Sequence, residues 1–380
     1  MATPTKKLRI GLVGTGFMGQ CAHLRNYATL DGCEIVALSE LREDMGKRVA
    51  ARYSIPKVYT HASDMLAHEK LDGLVASQQF GRHGIVVNEL LTAGIPIFIE
   101  KPLAASIKVG EQLAAADQAA GGKVMVGYHK RSDPATIYAK AEIERLKQTG
   151  EIGKLQYIRV TIPSGDFVAN GVFDGLLGSD YPAPTDVDPL DPDLSEENNK
   201  AYFFFVNFFI HQLNLIRHLL GEDYKLSYVD PSNIVIVGHS DTKIPVTLEC
   251  IPYTTISGWE EVALVAFESG YVKLTLPAPL VINRAGEVEI VRDPKRGTAP
   301  TPALPPYPIH FQHPYAWLNE SNWSAGSRFI PTMPQDHAMR IQAANFLRFC
   351  RGEAPPPCGA AEALKDLQLG RDWLRMSKGV

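Results

Sequence analysis

Leu8-Arg9-Ile10-Gly11-Leu12-Val13-Gly14-Thr15-Gly16-Phe17-Met18-Gly19 is the stretch that decides the fold class of this 380-residue chain. The apolar run Leu8–Val13 ends at the first of three glycines spaced G-x-G-x-x-G, and a helical pattern follows. At such places glycine permits a tight turn, brings backbone close to a pyrophosphate and lets the next helix pack against the strand. The opening turn of that helix offers free N–H groups and positive partial charge to an anion. The next apolar run, Glu34–Ser39, ends at Glu40, an acid placed to accept bonds from both ribose hydroxyls and to repel a 2′-phosphate. NAD is therefore expected over NADP, with Arg42 the residue that could instead receive the phosphate. Gly14, Gly16, Phe17, Met18, Gly19, Glu40 and Arg42 form this part of the candidate cofactor set.

Outward from there, the apolar runs Asp72–Ser77, Ile95–Ile99 and Lys123–Tyr128 alternate with the amphipathic stretches Glu43–Tyr53, Gly84–Ala93 and Ile107–Ala120. Near-continuous apolar strands separated by helix-length segments predict a parallel sheet covered on both faces. After a helical stretch, Ala135–Gln148, the period changes. Leu155–Thr161, Asn233–Val237, Val246–Ile251, Val262–Phe267, Tyr271–Leu276 and Gly286–Arg292 read as strands, several joined by short Gly- or Pro-containing turns, which predicts an antiparallel sheet. The expected fold is α/β: an N-terminal Rossmann domain over residues 1–130, then a C-terminal α/β domain over 131–380 with an open, mostly antiparallel sheet. The helical patterns Asp336–Cys350 and Ala360–Met376 close the chain and are expected to pack back on the first domain. Two long irregular stretches interrupt the second half, acidic Gly165–Asn199 and aromatic-rich Asp293–Pro334. Loops of that length in a packed domain usually carry function.

Composition narrows the classes. Lys+Arg 38 against Asp+Glu 42 gives a formal charge of −4, without the basic stripe of a nucleic-acid binder. No apolar run approaches the ~18 residues needed to span a bilayer. Lys6, Lys7 and Arg9 lead into too short an apolar stretch for a signal peptide. The five cysteines are odd in number and unpatterned, so neither disulfides nor a zinc site is expected, and a cytoplasmic protein is. His310-Phe311-Gln312-His313 has metal-like spacing without partner ligands, and no metal is expected.

Glu100-Lys101-Pro102 ends the run Ile95–Ile99, and together with the glycine motif it resembles the glucose–fructose oxidoreductase / inositol dehydrogenase / rhizopine catabolism (Gfo/Idh/MocA) family. The resemblance continues in Asp72-Gly73-Leu74-Val75 with His83 following, in Gly127-Tyr128 through Arg131 to Asp133-Pro134, and in a helix Phe208–Gly221 containing His211. It implies hydride transfer between NAD and a secondary hydroxyl of a sugar, glycoside or cyclic polyol. It also implies a homodimer or homotetramer joined through the C-terminal sheet. By the same resemblance Lys101 is a catalytic residue, its ammonium stabilising a developing alkoxide. A D-x-x-x-H pattern on one helix face supplies the other polar groups. Here it reads Asn207-Phe208-Phe209-Ile210-His211, with His211 the candidate base, ordinary pKa ~6.5, and Asn207 in place of the carboxylate. Ser77, His83, Glu100 and Lys101 join the expected cofactor contacts, and Tyr128, Arg131, Asn207 and Trp323 the substrate contacts. Two other readings stay open. One is a glycosidase that oxidises, eliminates, hydrates and returns the hydride. The other is a dinucleotide-binding regulator without turnover.

Overall fold

The computed structural model describes residues 6–163, 165–168, 176–182, 184–255, 258–293 and 326–379. Strand β1 (Leu8–Val13) runs into a wide helical turn, Gly19–Leu24, that continues as α1 (Arg25–Tyr27). Then come β2 (Cys33–Ser39), α2 (Glu43–Tyr53), β3 (Lys57–Tyr59), α3 (Ala62–His68) and β4 (Gly73–Ala76). The first half closes with α4 (His83–Leu91), β5 (Ile97–Ile99), α5 (Ile107–Ala119) and β6 (Val124–Val126). These strands form one sheet in the order β3-β2-β1-β4-β5-β6, every neighbouring pair parallel. All residues of β4, β5 and β6 are buried, as helices on both faces require. Strand order reverses between β1 and β4. The two βα loops diverge there and leave a crevice at the C-terminal strand ends.

Helix α6 (Pro134–Thr149) opens on Asp133, whose carboxylate accepts from Ala135 N at 2.8 Å and from Gly286 N at 3.1 Å. It leads to β7 (Leu155–Pro163), α7 (Glu196–Phe208), α8 (Ile210–Leu220), β8 (Tyr224–Val229), β9 (Val235–Ser240) and β10 (Pro245–Ile251). Next are β11 (Glu261–Phe267), β12 (Gly270–Leu276), β13 (Glu287–Arg292) and β14 (Ser327–Phe329), then α9 (Ala338–Cys350) and α10 (Ala360–Lys378). The eight-stranded sheet runs β14-β13-β12-β11-β7-β10-β9-β8 and is antiparallel except where β7 meets β10. Buried and half-buried residues alternate along β10 and β12, so one face packs on α6 and α8 and the other is open. Helix α10 packs on α5 of the first sheet and on α7, α8 and β8 of the second.

The expected single helix around His211 is interrupted. Phe209 (φ −93°, ψ −5°) ends α7 and begins α8, so Asn207 lies on the last turn of one helix and His211 on the first turn of the next. Helix α7 also begins inside the stretch read as irregular. Ser195 Oγ accepts from Asn198 N at 3.2 Å, and Glu196 and Glu197 complement the helix dipole. The three-residue strands β3 and β14, strand β8 and helix α3 were not legible as periodic runs. Trp317 and Trp323 lie outside the described residues. No helix among the described residues is long and apolar enough to cross a membrane.

A buried polar network ties the turn after β6 to α8 and α10. Arg217 donates to Asp366, which also accepts from Asn214 Nδ2 at 2.8 Å, while Arg131 Nε donates to Asn214 Oδ1 at 2.6 Å. Removing one member of a buried pair strands the other's charge. Asp366→Ala is therefore expected to cost about 3–5 kcal/mol, read as a lowered urea midpoint at unchanged slope.

Candidate active site

The three glycines have separate reasons. Gly14 has φ +89°, and a Cβ there would meet Gln78 Nε2 at 2.3 Å and Ser77 O at 2.7 Å. A Cβ on Gly19 would meet Gly14 O at 2.8 Å, so the turn and the helix behind it close only without side chains. At Gly16 a Cβ meets nothing within 4 Å, because this position faces open space in the crevice. That cradle, at the head of the first helical turn, suits a pyrophosphate.

Glu40 ends β2 as expected, but its carboxylate is bonded within the chain. Oε2 accepts from Thr15 N at 2.8 Å and Thr15 Oγ1 at 2.9 Å, and Oε1 accepts from Arg42 Nε at 2.8 Å. Burial favours protonation, yet the bonds from Arg42 and Thr15 outweigh it and hold the carboxyl below its ordinary range. Arg42 is thereby held beside the acid at the rim of the cleft.

This cleft, about 1230 Å³, runs from Gly14, Phe17 and Met18 past Ser77 to Lys101 and His211. Lys101 follows β5, and its peptide bond to Pro102 is cis. Its Nζ donates to Asn207 O at 2.6 Å and to Asn207 Oδ1 at 3.2 Å, across from one sheet to the helices of the other. Burial lowers the Lys101 pKa to about 8; Glu100 opposes the shift and Lys130 adds to it. Glu100 sits beneath, accepting from Lys101 N at 3.2 Å and lying 2.6 Å from His23 Nε2. His211 is shifted well below its ordinary 6.5, first by burial, then by Lys101, His129 and Lys130. The His129 ring meets it edge-on at 4.8 Å and is also shifted well below the ordinary value, by burial and by the two lysines.

Three expectations are corrected. Tyr128 and Arg131 do not line the cleft: both are buried, and Arg131 is spent on Asn214, Pro357 O and Glu362. The short helical turn after β6 instead presents the intervening His129 and Lys130. His83 does not line the cleft either. It is buried with Nδ1 3.1 Å from Leu103 O, supporting the loop that follows Lys101. Sequence reading missed Glu261, fully buried at the start of β11, which accepts from Lys130 Nζ at 2.6 Å and Gln212 Nε2 at 2.8 Å. Nothing in the sequence near Glu261 signals that pairing. His23 was missed too; every residue of the helical turn Gly19–Leu24 is buried, so its position there does not single it out. Among the described residues, no group of three or more potential ligands could hold a metal ion.

Residues 8–128 match the family model for Gfo/Idh/MocA, described as an oxidoreductase family with an NAD-binding Rossmann fold. That stretch, under half of the chain, is similar to the Gfo/Idh/MocA oxidoreductases. Inositol 2-dehydrogenase of Acidothermus cellulolyticus is 29% identical over 184 residues, 47% of this chain and 52% of that protein. The chain thus matches about half the length of that relative. D-apiose dehydrogenase of Paraburkholderia graminis is 25% identical over 376 residues, covering 97% of this chain and 87% of that protein. A crystal structure of aldose-aldose oxidoreductase from Caulobacter crescentus superposes with a TM-score of 0.66 at 16% identity, covering 98% of each chain. At that identity the likeness is one of fold.

The pair of buried histidines in this cleft predicts acid lability. His129 and His211 are neutral when folded, whereas the unfolded chain protonates them near 6.5, so stability declines as pH falls below that value. The slope is at most about 1.4 kcal/mol per pH unit for each histidine. His129→Gln should flatten this acid limb in denaturant melts between neutral pH and roughly pH 5. A limb of unchanged slope would remove His129 from the account.

Proposed function

We propose that this chain is an NAD-dependent dehydrogenase acting on a secondary hydroxyl of a sugar, glycoside or cyclic polyol. The observation that carries the reading is Lys101, an amine with a pKa brought to about 8, held on Asn207 in the cleft that contains the glycine cradle. The fit of the dinucleotide rests on the open Gly16 position and on the acid at the end of β2. When bound there, the nicotinamide supplies the hydride acceptor.

The chain's own residues supply the proton chemistry. A general base works best with a pKa near the operating pH. Lys101 meets that condition and His211 does not, because His211 is pushed well below its ordinary value. We therefore assign the proton-accepting role to Lys101 Nζ, with the neutral His211 imidazole and the Asn207 amide orienting the reacting hydroxyl. Asn207 replaces a carboxylate without loss of this role, since its two oxygens accept from the ammonium and leave the lysine no ion partner at that position. Lys130, held by Glu261, adds positive charge where an alkoxide develops. NAD is assigned over NADP because Glu40 stays ionised and already binds Arg42, which leaves that guanidinium less available to a 2′-phosphate. D-apiose dehydrogenase and inositol 2-dehydrogenase among the relatives support the substrate class. The open face of the eight-stranded sheet is the surface to which we assign self-association as a dimer or tetramer, which light scattering would report.

Purified protein incubated with NAD and a panel of polyols, sugars and chromogenic glycosides should form NADH in proportion to one substrate. Aglycone release at constant NADH would replace this reading with a redox-neutral glycosidase. Lys101→Met should lower kcat by roughly 10²–10⁴ while NAD still binds. Oxidation needs the neutral amine, so kcat/KM should climb as pH rises through about 8 and level off above it, with the reverse reduction falling over the same window. A flat profile would exclude Lys101 as the base.

A further inference from the structure

The cleft has more aromatic surface than a polyol can use. Helix α7 carries Phe203, Phe204 and Phe208, and all three line the cleft that holds Lys101 and His211. Phe204 is 59% exposed and Phe208 49%, unusual for phenylalanines beside a buried polar site. Their spacing of four places them on one helix face, with ring centroids 4.9 Å apart and planes 32° from parallel. Phe203, 38% exposed, stacks on Phe80 at 4.2 Å and extends the same wall. Phe208 directly follows Asn207, the residue that holds the Lys101 ammonium. The polar groups thus converge at one end of the cleft and the open rings border it. A sugar or inositol ring covers about one aromatic face with its C–H groups and presents hydroxyls elsewhere. It would leave the remaining rings in water. Contiguous exposed apolar surface joined to a polar site marks a ligand groove.

We propose that the substrate is amphiphilic: a glycoside whose sugar hydroxyl reacts at Lys101 and whose flat aryl aglycone lies on the Phe204–Phe208 face. This rests on the dehydrogenase reading above and narrows it. The aglycone undergoes no chemistry. Its burial against the two rings supplies binding, while Lys101, Asn207 and His211 select the hydroxyl.

The test uses the full chain saturated with NAD and matched pairs of para-nitrophenyl and methyl glycosides of glucose, galactose and xylose. Titration calorimetry reads binding and absorbance reads NADH in the same samples. In at least one pair the aryl glycoside should bind about tenfold or more tightly than its methyl partner. The double variant Phe204→Ala/Phe208→Ala should bring that ratio to within about twofold of unity, and Phe208→Leu should keep part of it. Failure of every aryl glycoside to bind, equal binding within every pair, or a ratio unchanged in the double variant overturns the proposal. So does size-exclusion evidence that the double variant separates an oligomer while the ratio holds, since the rings would then be a contact between copies. Aryl-selective binding without NADH sinks the dehydrogenase reading and leaves the aglycone site standing. NADH formed with no aryl preference does the reverse.

Discussion

The contact between the Lys101 ammonium and Asn207, 2.6 Å to the backbone oxygen, is the one on which the site depends. Its two partners are 106 residues apart, one at the end of a strand in the parallel sheet and the other where two helices of the second sheet's layer meet. Closing it places an amine against the cleft wall, out of bulk water, and that burial lowers its pKa toward neutrality. The arrangement would not survive free rotation of one sheet against the other. Helix α10, packed on α5 and on α7 and α8, spans both layers.

Charge within the cleft is organised so that few groups compete for protons. His211 and His129 are kept neutral by burial and by two lysines. Lys130 has its own carboxylate in Glu261, and Glu100 has His23. Each of these buried charges therefore faces a counter-charge or an imidazole, as the cost of isolated charge in a low-dielectric interior demands. Lys101 Nζ donates to neutral acceptors, the Asn207 carbonyl and amide oxygen, and the nearby Glu100 only partly offsets its burial, so it changes protonation near neutral pH.

The break at Phe209 has a comparable consequence. A continuous helix would present positions 207 and 211 one turn apart on a single face. The interruption puts Asn207 at a helix end, where its backbone carbonyl has no partner within the helix and is free to accept from Lys101. Phe204 and Phe208 remain on the cleft side of the final turns of α7, beside the same residue.

Periodicity and glycine spacing by themselves determined the first sheet, its parallel order and the cofactor cradle. These follow from local rules: apolar strands of β length, helices between them, and three glycines whose missing Cβ atoms permit φ +89° at Gly14 and close packing at Gly19. Lys101, Asn207 and His211 were legible as a pattern resembling a known family. Which neighbour of Tyr128 faces the cleft was not. A short helical turn decides it, rotating His129 and Lys130 inward while Arg131 is drawn to Asn214 and Glu362. Glu261 and His23 became visible only when distant segments met, because an ion pair between residues 131 apart leaves no trace in local spacing. Proton affinity was the last property to be decided. It depends on burial and on neighbouring charge, which belong to the tertiary structure and to no single stretch of the chain.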